Sequence, residues 1–469
     1  MDQPTSPDRE QLVSLYASQP KIQPRAVSGW FHGWRWALVW FTQLLFYGAP
    51  WLVWNGRQAV LFDLTARRFY LGPLVLYPQD FIYLTGLLIV SAYALFLFTA
   101  VAGRLWCGYA CPQTVYTEIF MWIEQRFEGD RNQRLKLDKS TLTAEKILRR
   151  GGKHLAWGVV ALWTGFTFVG YFTPIRELMA AVPGFAFGPW ELFWIGFYGL
   201  ATYGNAGWLR EQVCKYMCPY ARFQSAMFDR DTLIISYDAE RGEPRGTRGR
   251  KTDLAAAKLG HCIDCELCVQ VCPTGIDIRK GLQYECIGCA ACIDVCNGVM
   301  DKMQYPRGLI RYDTLNGMQQ HLDRKTEWWR VFRPRVLIYS AVLWLIIAAL
   351  GYGLWTRPAI RVDVVRDRGV LSRVVEDGWV ENVYRLQVMN ATEQVQSVKV
   401  SVAGLQGIQL AALPPITLAG AEARWVPVAV RIPPEAAAQA GAGSHAIRFD
   451  ITAVGEDPVV EKSTFMVPR

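Results

Sequence analysis

Histidine is scarce in this chain: 469 residues carry five, at 32, 154, 261, 321 and 445. His32 and His154 stand at the ends of apolar runs, and no two runs offer facing histidines at membrane depth, which disfavours a transmembrane haem b. No G-x-G-x-x-G follows a strand-like segment, so a nucleotide- or flavin-binding fold is not supported. Cysteine is absent beyond Cys296, which denies the C-terminal part an intersheet disulfide. No cleavable signal peptide is visible, because the first thirty residues are polar and contain prolines. Charged residues make up only 19%, against 51% hydrophobic, yet mean hydropathy is just +0.10. That pairing suggests membrane spans joined to water-soluble parts. The net charge of +9 comes without a nucleic-acid fold motif. It lies in loops beside apolar runs, where it orients a membrane protein.

What the chain does have is twelve cysteines, eight of them in one stretch. Cys262, Cys265, Cys268 and Cys272 form C-x-x-C-x-x-C-x-x-x-C, and Cys286, Cys289, Cys292 and Cys296 repeat it. Three closely spaced thiolates suit three irons of one cuboidal cluster. The fourth, leaving toward the other loop, ligates the partner cluster in two-cluster ferredoxins. One 4Fe–4S cluster is therefore assigned to Cys262, Cys265, Cys268 and Cys296, and the second to Cys286, Cys289, Cys292 and Cys272. Zinc ribbons need no third cysteine per loop, and a disulfide framework belongs to small secreted domains. Pro273 follows Cys272, but Asn297 stands where a second proline is usual.

Five apolar stretches of about twenty residues are candidate spans: 34–54, 81–103, 154–174, 190–209 and 336–355. At about 1.5 Å per residue, each reaches the roughly 30 Å of a hydrocarbon core. For 190–209, with Asn205 and several glycines, a buried soluble helix is the alternative. Lysines and arginines crowd 104–153, while the connection between the third and fourth stretches carries only Arg176. The positive-inside rule puts 104–153 and the ferredoxin segment in the cytoplasm, and 55–80 and 175–189 outside. The cysteines, all on the side assigned to the cytoplasm, agree with that orientation. The expected domains are a tail at 1–33, a four-span domain at 34–209, and a cytoplasmic segment at 210–335 with a ferredoxin core at about 255–305. A fifth span at 336–356 and a periplasmic domain at 357–469 complete them. The basic, Gly-rich run 241–251 is expected to be a solvated, mobile connector, with anionic headgroups as the alternative contact.

From 361 onward, short alternating runs are broken by Gly, Pro and Asn, which predicts an immunoglobulin-like β-sandwich. No catalytic set appears in it, so docking is its expected role. Asn390-Ala-Thr392 matches a glycosylation sequon but reads better as a turn.

The remaining cysteines form a second repeat. Cys107-Gly-Tyr-Ala-Cys111-Pro112 follows the second span, and Cys214-Lys-Tyr-Met-Cys218-Pro219 follows the fourth, with Arg104 and Arg210 just upstream. This looks like a duplicated two-span unit whose motifs meet at the cytoplasmic face. Cysteines four apart on a helix face the same way, so each pair could chelate a metal or close a dithiol. Pro112 and Pro219 fit the first turn of a helix. Cys111 and Cys218 are then expected near a helix N-terminus, where the dipole and the arginine favour thiolate. Soft thiolates suit copper(I), zinc or an iron–sulfur centre; four structural cysteines are the plainer alternative.

Paired C-x-Y-x-C-P motifs, a two-cluster ferredoxin insert, a fifth span and a terminal sandwich resemble, in that order, the CcoG family, also called FixG or RdxA. The likeness runs from about residue 30 to the end. The membrane cysteine motifs alone also occur in NapH- and NosR-like proteins. The resemblance implies an inner-membrane protein that reduces copper(II) to copper(I) for assembly of cbb-type cytochrome c oxidase. Cys107, Cys111, Cys214 and Cys218 are then the copper-handling or catalytic candidates, and the ferredoxin cysteines supply electrons. Implied partners are oxidase assembly factors, copper carriers, an electron donor and the bilayer, with no nucleic acid; a homodimer is compatible. The alternatives are a quinol-linked subunit feeding a periplasmic reductase and a non-enzymatic assembly factor.

Overall fold

The computed structural model describes residues 21–468 except 251, 323–325, 327–328, 368, 370, 371 and 454. Most of the predicted N-terminal tail, 1–20, lies outside the described residues. The chain divides into two compact units, one of Met1–Val39, Thr99–Trp157 and Gly204–Arg330, the other of Trp40–Phe98, Gly158–Tyr203 and Val331–Arg469.

Among the described residues, two helices are long and apolar enough to cross a membrane: Pro78–Ala102 and Pro334–Trp355. They run antiparallel, as three contacts in register show. Tyr83 donates its hydroxyl to the Gly353 carbonyl at 2.9 Å, Gly86 packs on Leu350, and the Tyr93 and Tyr339 rings meet at 6.2 Å. Gly86 matters because a Cβ there would sit 2.8 Å from the Leu350 methyl; small residues let membrane helices approach closely. The other three predicted spans are helical too, but less simply. Trp30–Gly48 ends before Pro50, whose ring and missing N–H interrupt a helix. Ala144–Val169 starts ten residues before its predicted span, on a charged first half. Pro189–Thr202, at 14 residues, is too short to span alone and continues as a π-helical stretch, Tyr203–Leu209.

The C-terminal region is a two-sheet sandwich. One sheet orders its strands Gln409–Leu410, Ala423–Ile432, Val380–Asn390, Ile360–Arg366, with Arg373–Val374 also on Val380–Asn390. The other runs Ile416–Leu418, Gln396–Ala403, Gly443–Ala453, Val459–Val467. Alternation points Tyr384, Leu386 and Val388 inward against Phe449 and Phe465, all fully buried. Asn390 is 0% exposed and bonds the carbonyls of Gln394 and Ala419 with its amide, so the sequon-like triplet is a buried turn.

The connection 55–80 is folded as well. Val60–Asp63, Arg68–Leu71 and Leu74–Leu76 make a three-stranded sheet, and its Leu61, Tyr70 and Val75 pack on Met389, Ala391 and Ala421 of the sandwich. Beside it Asp80, 2% exposed, pairs with Arg357 at 2.5 Å and Arg361 at 3.0 Å.

In the first unit, Ile234–Tyr237 pairs antiparallel with Ile310–Asp313, and the helices Leu267–Gln270 and Ala291–Met303 pack beside them. Ile235, Ile293, Met300, Leu309 and Ile310 form the core. The basic run is not the free connector expected. Arg241 donates to the carbonyls of Pro306 and Arg307, and Arg248 to that of Cys262 while lying over the Tyr305 ring. Backbone carbonyls that folding brings up beside the run accept from these guanidiniums. Lys251, at the end of the run, lies outside the described residues.

Candidate metal centres

The two ferredoxin loops repeat one backbone device. In the first, Asp264 and Glu266 flank Cys265 at φ 52° and 54°; in the second, Gly288 and Ala290 flank Cys289 at 70° and 59°. Left-handed residues on both sides of the middle cysteine curl the chain, after which a helix begins at Leu267 or Ala291. One cavity is lined by Cys262, Cys265, Cys268 and Cys296. A second is lined by Cys272, Cys286, Cys289 and Cys292, and also by Cys268, which the two cavities share. The last cysteine of each loop thus stands with the first three of the other.

Among the described residues, no three His, Cys, Asp or Glu side chains stand close enough to share one metal ion. The cysteines instead surround two hollows, and four thiols around each is the donor set a 4Fe–4S cluster takes. Burial pushes the Cys296 thiol up to about 12, with further upward pressure from Cys268, Cys262 and Cys265. Burial does the same to Cys286 and Cys268, each to about 12. Bare, these groups keep their protons; iron must displace them, so loading releases acid.

The four remaining cysteines come together in the same unit. Cys107 lies in a short helix, Leu105–Tyr109, and Cys111 is the N-cap of Pro112–Glu128. Cys214 lies in the π-helical turn Val213–Met217, and Cys218 is the N-cap of Pro219–Met227. Each pair therefore straddles a break rather than riding one helix, because the residue before a proline is driven to extended geometry. Cys111 and Cys218 obey, at ψ 128° and 110°. The charges of Cys111, Cys107 and Cys218 all act on Cys214. Against the expected thiolate, burial pushes the Cys111 thiol up, outweighing backbone N–H groups of Gln113 and Thr114 that pull it down. Burial also pushes Cys107 to about 11 and Cys214 to about 12. The Gln224 amide donates to Cys107 Sγ at 3.2 Å.

This group abuts the second cavity. Cys107 and Cys214 pack on Ile287 and Cys289. Gly108 lies so close that a Cβ on it would be 2.8 Å from Cys289 Cα and N. Tyr312 donates to the Gly288 carbonyl at 2.6 Å and reaches the Tyr109 hydroxyl at 3.4 Å. Arg104, 8% exposed, donates to the carbonyls of Cys286 and Tyr284 on the loop, and at 2.7 Å to that of Ala221 after the second motif. The second motif faces outward, with Tyr216 and Met217 each 59% exposed. A buried carboxylate anchors its upstream arginine. Glu124 holds Arg210 at 2.9 Å and Arg134 at 2.8 Å, with Lys153 and Lys21 also paired to it.

Gly108, Gln224 and Glu124 have no functional reading in the sequence, and Arg104, read there as favouring thiolate, instead ties the ferredoxin loop to the second motif. The one available signal was asymmetry: the first motif has glycine where the second has Lys215.

Three family models match parts of the chain. A 4Fe-4S dicluster domain model matches residues 209–315, a 4Fe-4S binding domain model 84–129, and the model of the IG-like fold at the C-terminus of FixG 350–468. The chain is 38% identical over 422 residues to "Nitrogen fixation protein FixG" of Rhizobium meliloti, covering 83% of this chain and 80% of that protein. It belongs to the FixG/RdxA/CcoG family. "Protein RdxA" of Cereibacter sphaeroides is 39% identical over 408 residues, 84% of this chain and 85% of its own. "Methylamine utilization ferredoxin-type protein MauN" of Methylobacillus flagellatus is 26% identical over 40% of this chain and 54% of its own. A crystal structure of a FixG-related protein from Vibrio parahaemolyticus, 28% identical, covers 23% of this chain and 95% of its own, with a TM-score of 0.21. The chain is thus an iron–sulfur electron-transfer protein of the FixG/RdxA family, associated with a membrane.

Proposed function

We propose that this chain reduces copper(II) to copper(I) at Cys107, Cys111, Cys214 and Cys218 and so supplies copper(I) for assembly of a cbb-type cytochrome c oxidase. The observation that carries the reading is the backbone contact of Gly108 with Cys289, which sets the four-cysteine group against a loop of the ferredoxin. Iron–sulfur groups held by the eight ferredoxin cysteines supply one-electron storage. The chain's own residues do the rest. Arg104 and Tyr312 fix the loop to the first motif. Soft sulfur donors favour copper(I) over copper(II), so the site lowers the energy of the product state. Cys107, Cys111 and Cys214, whose thiols burial pushes up, yield their protons only to a strongly bound soft cation, which selects against hard ions. The exposed Met217 beside Cys218 offers a thioether on the side from which copper approaches. The four-cysteine site and ferredoxin segment are assigned to the cytoplasm, the chain to five spans of a bacterial inner membrane, and the sandwich to periplasmic docking of assembly partners.

The test is copper(II) reduction by membranes reduced with dithionite and then freed of it, with a copper(I) chelator as reporter. Cys214→Ser with Cys218→Ser should abolish it while leaving the ferredoxin signals in place. Unchanged copper reduction and oxidase assembly would sink the proposal. A second reading has one observation in its favour: the 4Fe-4S binding domain model spans Cys107 and Cys111, so these four cysteines would hold iron rather than handle copper.

A further inference from the structure

A cavity of about 330 Å³ in the first unit is used by neither centre. His32, Arg35, Trp36, Glu118, Trp122 and Ala291 are among its lining. Its volume is at the lower end of small-molecule sites. Ala291 also lines the cavity of Cys272, Cys286, Cys289 and Cys292, so one alanine is wall to both. The two are bolted together by Asp294, whose carboxylate accepts from the backbone N–H of Phe31 at 3.2 Å and His32 at 2.8 Å. Gly29 is required there, since a Cβ would meet that carboxylate at 2.4–2.5 Å.

The polar end of the cavity is preset. Arg35, 5% exposed, donates from Nη2 to His32 Nδ1 at 3.0 Å and stands 3.6 Å from Glu118 Oε1. His32 Nδ1 must then accept, which leaves Nε2–H as a donor. Arg35 Nε is buried with no partner, a donor in want of an oxygen. The other end is aromatic, Trp36 and Trp122 meeting edge to face at 6.2 Å. Trp122 is 53% exposed, and Trp30 and Trp34 of the same helix as Trp36 are 72% and 53% exposed, the pattern of an aromatic belt at a membrane surface. Donors and a carboxylate beside an aromatic wall that continues into an interfacial belt fit a lipid-soluble hydroquinone. Glu118 disfavours a simple anion.

We propose that this cavity binds the head of a membrane quinol and is where electrons reach the chain, an inference that rests on the electron-transfer reading. Both quinol O–H bonds break and the ring becomes quinone. Glu118 accepts each proton in turn and passes it to water, and the two electrons leave one at a time to the iron–sulfur groups held by the eight cysteines. His32 Nε2–H and Arg35 Nε donate to the quinol oxygens.

The test uses the full chain, with its iron–sulfur groups, in anaerobic lipid discs. A photoreactive azidoquinone should label peptides containing 30–36 and 118–125, and excess unlabelled quinone should compete. Quinol should bleach the iron–sulfur absorbance of the native chain, and Glu118→Gln should slow that bleaching roughly a hundredfold. Dithionite bleaching of the same variant reports whether its iron–sulfur groups are assembled; if they are not, Trp122→Ala, with labelling lost, takes its place. Labelling confined to other peptides, or a native chain reduced by dithionite but not by quinol, overturns the proposal. Quinol reduction without any copper reduction would leave this site standing and remove the copper reading instead.

Discussion

Replacing Gly108 by alanine tests the link between the two centres at its tightest point. The new methyl would lie 2.8 Å from Cys289 Cα and N and from Gly288 C, about 0.6 Å inside the 3.4 Å where ordinary contact begins. All three atoms are backbone, so no rotamer can yield, and one of the two segments must move. Resistance comes from both sides: Tyr312 holds Gly288, and Arg104 holds Cys286. Overpacking of this kind costs about 1–3 kcal/mol. We expect a moderate loss of thermal stability, intact ferredoxin signals, and a clear slowing of electron delivery from reduced protein to copper(II). Rapid mixing of dithionite-reduced protein with copper(II), read by the return of iron–sulfur absorbance, measures it. A variant as stable and as fast as the native chain would refute the contact and the role built on it.

Glu124→Gln should be the costlier change. It strands Arg134, Arg210 and Lys153 around a neutral amide, a loss of about 3–5 kcal/mol by thermal unfolding. Although burial alone would raise it, the cations led by Arg210 hold the Glu124 carboxyl down at about 2. Its stabilisation is therefore complete above the ordinary carboxylate value and lost as pH falls from about 4.5 toward 2. Lys21, lowered by burial and by Arg210, offsets part of that stabilisation throughout the acid range without changing its slope, and the variant should show a flatter acid limb. Cys272→Ser should disturb the paramagnetic signal of the cluster of Cys286, Cys289 and Cys292, not that of its own loop. A signal lost only from the Cys262–Cys268 loop would contradict the crossed arrangement.

The ferredoxin cysteines were legible because cluster ligation imposes a local spacing that sequence displays directly. The sandwich was legible for the same reason, its period-two alternation being local, and two of five spans carried enough apolar length to declare themselves. What escaped was set by distant partners. Gly108 is ordinary until Cys289 is known to lie on it, and Asp294 is one more acid until Phe31 and His32 present their N–H groups to it. Arg241 and Arg248 looked like solvated charge because the carbonyls they bind are brought up by folding. At Cys111 the sequence displays the helix N-terminus but not the burial that pushes the thiol up.

The most direct check of the central claim is anaerobic analysis of iron, acid-labile sulfide and copper in the purified chain, with and without Cys107, Cys111, Cys214 and Cys218. The account predicts about eight irons and eight sulfides per chain in both proteins, two 4Fe–4S clusters, and copper(I) retained only when the four cysteines are present. About twelve irons in the native chain, falling to about eight in the variant, would make the four cysteines a third iron–sulfur site and contradict it.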